Sequence, residues 1–337
     1  MAANERSGRG VEHLAAEMEG IERSVRSVLE GKPEVVRLLL VSLLAGGHVL
    51  LEDVPGVGKT LLAKAIGTAI DCSVSRVQFT PDLLPTDVTG VTVYHQDSGQ
   101  FRFRPGAVFA NIVLGDEINR AGPKTQSALL EAMEERQVTV DGVTHPLPDP
   151  FMVIATQNPV ELEGTYPLPE AQRDRFLMRL SIGYPSADAE LEVLEVHGTG
   201  DRLGAMQAVT DATTVSELRR VAEGVHAAPA LRRYIVEVVR GTREHPAVEL
   251  GASPRASLSL LRAARALAAI TGRDFVIPDD VKQLAVPVLG HRLVLSPEAQ
   301  MSESSSPAVV EEMLRTIPVP SPERSGQGRR RAAGAQG

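Results

Sequence analysis

Three short stretches hold the residues whose types and spacing could do chemistry. In "LEDVPGVGKT", Leu51 to Thr60, Gly58, Lys59 and Thr60 close the pattern of a phosphate-binding loop. Gly56 and Gly58 let the backbone curl and approach an anion closely, and the amides of the loop and of the next helix point at it. The lysine reaches the outer phosphates, and the threonine hydroxyl ligates a divalent cation. The first position of the pattern holds Asp53 instead of glycine, which is acceptable if that position needs only a backbone angle Asp can adopt. In "NIVLGDEINRA" an apolar run ends in Asp116 and Glu117. One acid would hold the cation through water and the other would polarise an attacking water, which is the division of labour that hydrolysis needs. The plain alternative for adjacent acids is capping of the following helix. In "VIATQNP", Asn158 could hydrogen-bond both a terminal phosphate and that water, against the alternative of a turn-forming Asn before Pro159.

Arginines form a fourth group. "PEAQRDRFLMRL" contains Arg173, Arg175 and Arg179. An arginine on a loop after the site-bearing strands can point at a neighbouring copy's nucleotide and offset charge on the transferred phosphoryl. Arg255, in "GASPRASLSLL", opens a helix and could bridge to the terminal phosphate. For any one of them the alternative is a solvated or salt-bridged surface.

These residues need elements to carry them. Apolar runs at 48–52, 74–79, 111–117, 151–158 and 176–182 read as strands, separated by helical patterns at 59–70 and 124–136. Continuous apolar strands with helical crossovers imply a doubly wound parallel sheet of the α/β class, buried on both faces. Two stretches break the rhythm. Residues 90–106 alternate around Asp97-Ser98-Gly99, and residues 136–147 alternate around Asp141-Gly142, so both read as β-hairpins. Upstream, Ile21, Val25 and Val28 recur at helical spacing until Gly31 to Pro33 break the pattern. After Tyr184-Pro185, helical patterns follow one another at 187–197, 213–225, 228–243, 254–270 (Leu258, Leu261, Ala264, Leu267) and 279–289, with no strands between. The expected organisation is an unstructured start at 1–10, an α/β core at 11–185, a smaller all-helical lid at 186–316 and an unstructured tail at 317–337.

Composition narrows the classes. The chain has 337 residues, room for two domains with buried cores. A net charge of −8 argues against general nucleic-acid affinity, and Arg329-Arg330-Arg331 reads as a solvated terminal run. Cys72 is the single cysteine, which excludes an internal disulfide and suits a reducing compartment. No apolar stretch is long enough for a membrane span, and no signal-peptide core follows the N-terminus, so a cytoplasmic protein is expected.

Taken together, "LEDVPGVGKT", "GDEINRAGPKTQSALLEAMEERQVT", "IATQNPVELEGTYPLPEAQRDRF" and "GASPRASLSLLRAARALA" closely resemble the MoxR family of AAA+ ATPases, over roughly Val11 to Thr316. The resemblance implies a Walker A segment at Val54 to Thr60, with nucleotide held by Val54, Pro55, Gly56, Val57, Gly58, Lys59, Thr60 and Leu61. It implies a Walker B at Ile112 to Glu117, with Thr60 and Asp116 on Mg²⁺, a sensor-1 asparagine at Asn158 and a sensor-2 arginine at Arg255. The arginine finger falls in the "DRF" string at Arg175, with Arg173 as the competing position because an apolar residue is usual there. Ala107 stands where proline is usual. The hairpins match an insert in helix 2 and a pre-sensor hairpin. Family members look like ring-forming, usually hexameric, ATPases acting in a chaperone-like way on protein clients. They often work with von Willebrand factor type A domain proteins to mature clients or insert metal.

The resulting expectation is an ATPase that binds ATP between core and lid, with Glu117 activating water and a neighbour's Arg175 completing the site. Rival readings are a chelatase- or DNA-acting motor of the same insert clade, a non-hydrolysing nucleotide-dependent scaffold, and a kinase acting on a small molecule. The intact Asp116–Glu117 pair argues against the scaffold, and the two hairpins have no obvious purpose in the kinase.

Overall fold

Five apolar runs pair into one parallel sheet whose sides are both covered. The computed structural model describes residues 2–29, 32–54, 56–158, 164–184, 187, 191 and 202–320. Strands β1 (Val49–Glu52), β2 (Val74–Gln78), β5 (Ile112–Asp116), β8 (Met152–Gln157) and β9 (Met178–Leu180) lie in the order β2-β5-β8-β1-β9. Every pairing among them is parallel. Successive side chains of a strand face opposite sides, so each strand feeds two cores. Val49, Leu51, Ile112, Leu114, Met152 and Ile154 enter one cluster. Leu50, Val113, Val153 and Ala155 enter the other, against α5 (Pro123–Glu135) through Leu129, Ala132 and Met133. Each fully buried Leu, Ile or Val contributes roughly 1.5–3 kcal/mol, which is why both sides must be covered.

The first cluster is the larger. It takes in α1 (Ala2–Arg26), α2 (Pro33–Leu44) and α3 (Lys59–Ala69). Val11, Leu14, Met18, Ile21 and Val25 form the buried stripe of α1 at spacings of three, four, three and four. The unstructured start expected at 1–10 is therefore corrected: helix α1 begins at Ala2, because this stripe starts at Val11 and the polar turns before it extend the same helix.

Two hairpins project from the sheet. After the short helix α4 (Pro85–Thr89), β3 (Gly90–His95) pairs antiparallel with β4 (Gln100–Pro105). After α5, β6 (Gln137–Val140) pairs with β7 (Val143–Pro146) around Asp141 and Gly142, both at positive φ. The hairpins touch, since the Phe103 ring stacks on His145 at 3.9 Å between centroids.

A short helix, α6 (Glu170–Arg173), leads into β9. The second region holds α7 (Ala212–Glu223), α8 (Pro229–Glu244), α9 (Pro254–Ile270), α10 (Pro278–Leu289), α11 (Pro297–Met301) and α12 (Ser306–Thr316). Most start on proline, whose fixed φ and missing N–H suit a first helical turn. The expectation of an all-helical lid is corrected by β10 (Val248–Leu250) and β11 (Val294–Leu295), a two-stranded antiparallel ribbon. Leu258, which helical spacing places on the buried face of α9, is 57% exposed, while Leu260, Ala263, Ala264 and Leu267 do face inward. The helix expected at 187–197 lies outside the described residues apart from 187 and 191, as does the tail beyond 320. Among the described residues no helix is long and apolar enough to cross a membrane.

Candidate functional site

Because the sheet is parallel, β1, β5 and β8 deliver their last residues to one edge, where open α/β sheets bind ligands. Leu50 pairs with Ala155, and Ala155 with Gly115, so the loop after β1, the amide after β8 and the acids after β5 lie side by side. They enclose a cleft of about 400 Å³ lined by Gly56, Gly58, Lys59, Thr60, Leu61, Arg76, Gln78, Asp116, Glu117, Thr156 and Asn158. Pro55 lies outside the described residues, Val54 supplies a backbone carbonyl, and Val57 packs against the larger core.

The loop is built by two left-handed glycines, Gly56 (φ 86°) and Gly58 (φ 91°), the latter preceding the first turn of α3. Asp53 is absent from the left-handed residues, so no glycine is needed there. Its buried carboxylate instead accepts from Ser181 Oγ (2.9 Å), Ile182 N (2.6 Å) and Gly183 N (2.9 Å), which fastens the entry of the loop to the exit of β9. Lys59 Nζ donates to the carbonyls of Asp53 (3.0 Å) and Val54 (3.2 Å), so its ammonium is folded back over the loop.

The two acids sit in different surroundings. Asp116 is buried, and its Oδ2 accepts from Arg76 Nε at 2.7 Å. Thr156 Oγ1 stands 3.3 Å from Asp116 Oδ1 and accepts from Glu117 N at 2.9 Å, so one hydroxyl spaces both acids. Glu117 has left-handed backbone (φ 58°), which turns it out of the strand direction at a cost of order 1–2 kcal/mol for a residue with a Cβ. Its Oε2 accepts from Gln78 Nε2 (2.8 Å) and Arg120 Nη1 (3.1 Å). The oxygen donors Thr60 and Asp116 line the same cleft, and a hydroxyl plus one carboxylate is the sparse all-oxygen set that Mg²⁺ accepts when phosphates supply further ligands.

The arginines gather elsewhere. Arg175 pairs with Glu134 Oε2 (3.1 Å) and donates to Leu130 O (2.8 Å), which holds it against α5. Arg255, at the start of α9, pairs with the other oxygen of the same carboxylate, Glu134 Oε1, at 2.9 Å. Arg173 reaches Glu170 on its own helix (3.5 Å), and Arg179 reaches Glu52 (3.1 Å). Arg255 was expected to reach the terminal phosphate from the lid. Among the described residues no lid residue lines the cleft, and Arg255 shares a carboxylate with Arg175 on the α5 face.

Sequence reasoning passed over Arg76, Gln78, Thr156 and Arg120. Arg76 and Gln78 stand two apart in β2 and both reach the cleft. Two long polar side chains on one side of a strand in a buried sheet were the available signal. Asp174, Ser253 and Arg292, which join the arginine-bearing turn to the lid, were also missed, because their pairing spans more than 70 residues.

Comparisons with known proteins follow the same division. Residues 48–178 match the ATPase family associated with various cellular activities (AAA), and residues 240–313 match the AAA lid domain. The chain is 50% identical to the uncharacterized protein YeaC of Bacillus subtilis over 313 residues, covering 93% of this chain and 94% of that one. It is 44% identical to Chaperone MoxR1 of Mycobacterium tuberculosis (94% of this chain, 87% of that one) and 35% identical to Protein MoxR of Paracoccus denitrificans (89% and 95%). A crystal structure from Cytophaga hutchinsonii, described as that of a candidate ATPase, superposes with a TM-score of 0.89 at 38% identity, covering 95% of this chain and all of that one.

Proposed function

Since the chain belongs to the MoxR family of AAA+ ATPases, we propose that it hydrolyses ATP with Mg²⁺ in a cytoplasmic ring of copies, most simply a hexamer. The cycle would drive chaperone-like remodelling, maturation or metal insertion of a protein client, together with a von Willebrand factor type A domain protein. The observation that carries the ATPase part is the convergence of Lys59, Thr60, Asp116, Glu117 and Asn158 on one cleft at the carboxyl edge of the sheet.

Each residue has a role that its place supports. The loop amides between Gly56 and Lys59, at the positive end of α3, receive the phosphates. Lys59 exchanges its two carbonyl partners for phosphate oxygens, a stronger charge-assisted contact. Thr60 and Asp116 would hold Mg²⁺, which supplies charge neutralisation at the phosphates. Glu117 takes the proton of the attacking water, and Asn158 fixes that water against the terminal phosphate. Glu117 must first leave Gln78 and Arg120. Arg175, joined by Arg255, would serve the nucleotide of an adjacent copy, a contact that elsewhere is worth about 10³–10⁵ in rate. Their shared position on Glu134, away from their own cleft, favours Arg175 over Arg173.

The test is Glu117→Gln, which keeps shape and removes the base. Phosphate release should drop by about 10²–10⁴, the usual worth of a general base, while labelled ATP remains bound. Release at the parent rate would refute the assignment of Glu117.

A further inference from the structure

The turn that carries Arg175 is gripped by the lid through one carboxylate. Asp174, immediately before Arg175, accepts from Arg292 Nε at Oδ1 (2.7 Å) and from Ser253 Oγ at Oδ2 (2.8 Å). Arg292 follows α10, and its side chain is 2% exposed. It also donates to the carbonyls of Phe176 (2.7 Å), Leu177 (3.2 Å) and Val288, so this guanidinium holds the backbone on both sides of the turn's exit. Ser253 is the N-cap of α9 and its Oγ accepts from Arg255 N at 3.2 Å. One hydroxyl therefore fixes the start of the helix bearing Arg255 and the acid preceding Arg175. On the far side, Glu134 receives both guanidinium groups. The result is a closed circuit: Arg175, Asp174, Ser253, Arg255 and Glu134.

A buried ion pair such as Asp174–Arg292 returns little net stability, because desolvating both charges offsets their attraction. What it does supply is fixed geometry. We propose that Ser253 and Arg292 are positioning residues which act through Asp174 to hold Arg175 and Arg255 as one two-pronged donor for the phosphates bound by another copy of the chain. This rests on the reading of Arg175 given above. Lid and core then cannot shift relative to one another without splitting the two arginines, so the lid's position is read out at the neighbour's site.

The experiment uses full-length chains, with kcat, KM for ATP and melting temperature measured for each. Ser253→Ala should lower kcat about five- to tenfold with KM within about twofold, as expected when an interaction made only in the transition state is removed. Ser253→Thr, which keeps the hydroxyl, should restore the parent kcat. Asp174→Asn chains, with an intact cleft, should recover hydrolysis when mixed with Lys59→Ala chains, whose arginines are intact. A fold defect confined to the mutated chain is not repaired by mixing. The control is Arg175→Ala mixed with Lys59→Ala. If the control recovers and the Asp174→Asn mixture stays inactive, or if Ser253→Ala loses ATP affinity together with kcat, the positioning role is overturned. If the control itself stays inactive, the reading of Arg175 falls and this inference falls with it. Should Asp174→Asn melt below the assay temperature, the mixing arm is run with Ser253→Ala, and the same outcomes decide.

Discussion

At Asp53 the chain uses a side-chain clamp where the loop pattern has a glycine. Three donors from residues 181–183 converge on one buried carboxylate. Asp53→Ala would strand two backbone amides and a hydroxyl, so it should lower unfolding free energy by about 2–4 kcal/mol in a denaturant titration. A loss below about 0.5 kcal/mol would show that the clamp does not hold. Arg76 acts on the other carboxylate that matters. Its guanidinium already holds Asp116, so it would contend with the divalent cation proposed to bind there. The Arg76 side chain is 53% exposed, so solvent screens the pair and limits it to about 1 kcal/mol. Arg76→Ala should therefore lower the magnesium concentration for half-maximal hydrolysis by only about two- to fivefold. A higher requirement for magnesium would mean that Arg76 assists the site instead of competing in it. The residues of the cleft that sequence revealed, from Lys59 to Asn158, sit in contiguous motifs whose backbone role dictates their order. Arg76, Gln78 and Thr156 were hidden because their role arises only when β2, β5 and β8 are set in register.

At the scale of elements, His48 ties three of them together. It sits just before β1, accepts from Val153 N of β8 at Nδ1 (2.9 Å), and so carries its proton on Nε2, which donates to Met133 O of α5 (3.1 Å). Complete burial pushes its pKa down to about 4. His291, equally buried and beside Arg292, is pushed down as well. Between about pH 6.5 and pH 4 the unfolded chain binds a proton at His48 that the folded chain refuses, so stability rises with pH across that window. The contribution is complete above about 6.5 and is lost as pH falls towards 4, amounting to about 3 kcal/mol for His48. Urea unfolding from pH 7 to pH 4 should show this decline, and His48→Gln should flatten it. An unchanged slope in that variant would assign the decline to other groups. The five sheet strands were legible because strands buried on both faces are unbroken apolar runs. Ribbon β10–β11 was not, since three and two residues are too few for a period to show. The start of α1 escaped notice because its first turns carry no apolar stripe.

At the scale of the whole molecule, the α/β core and the lid share one continuous apolar cluster through α1. That helix packs on α3 of the core and on α7 and α9 of the lid. Core and lid were readable as separate regions, because strands stop alternating with helices after Tyr184. Their mutual orientation was not, because it is set by contacts between α1, α9 and the turn at Asp174 that no local pattern encodes. This orientation pairs Arg255 with Glu134 beside Arg175, and the proposed function assigns nucleotide binding and cleavage to the loop at Lys59 and the acids at 116 and 117. Calorimetry of Mg–ATP on the Glu117→Gln chain, where turnover does not add heat, tests that claim most directly. One nucleotide should bind per chain, and adding Lys59→Ala should weaken binding about ten- to hundredfold, the worth of a charge-assisted contact. Undiminished affinity in the double variant would contradict the account.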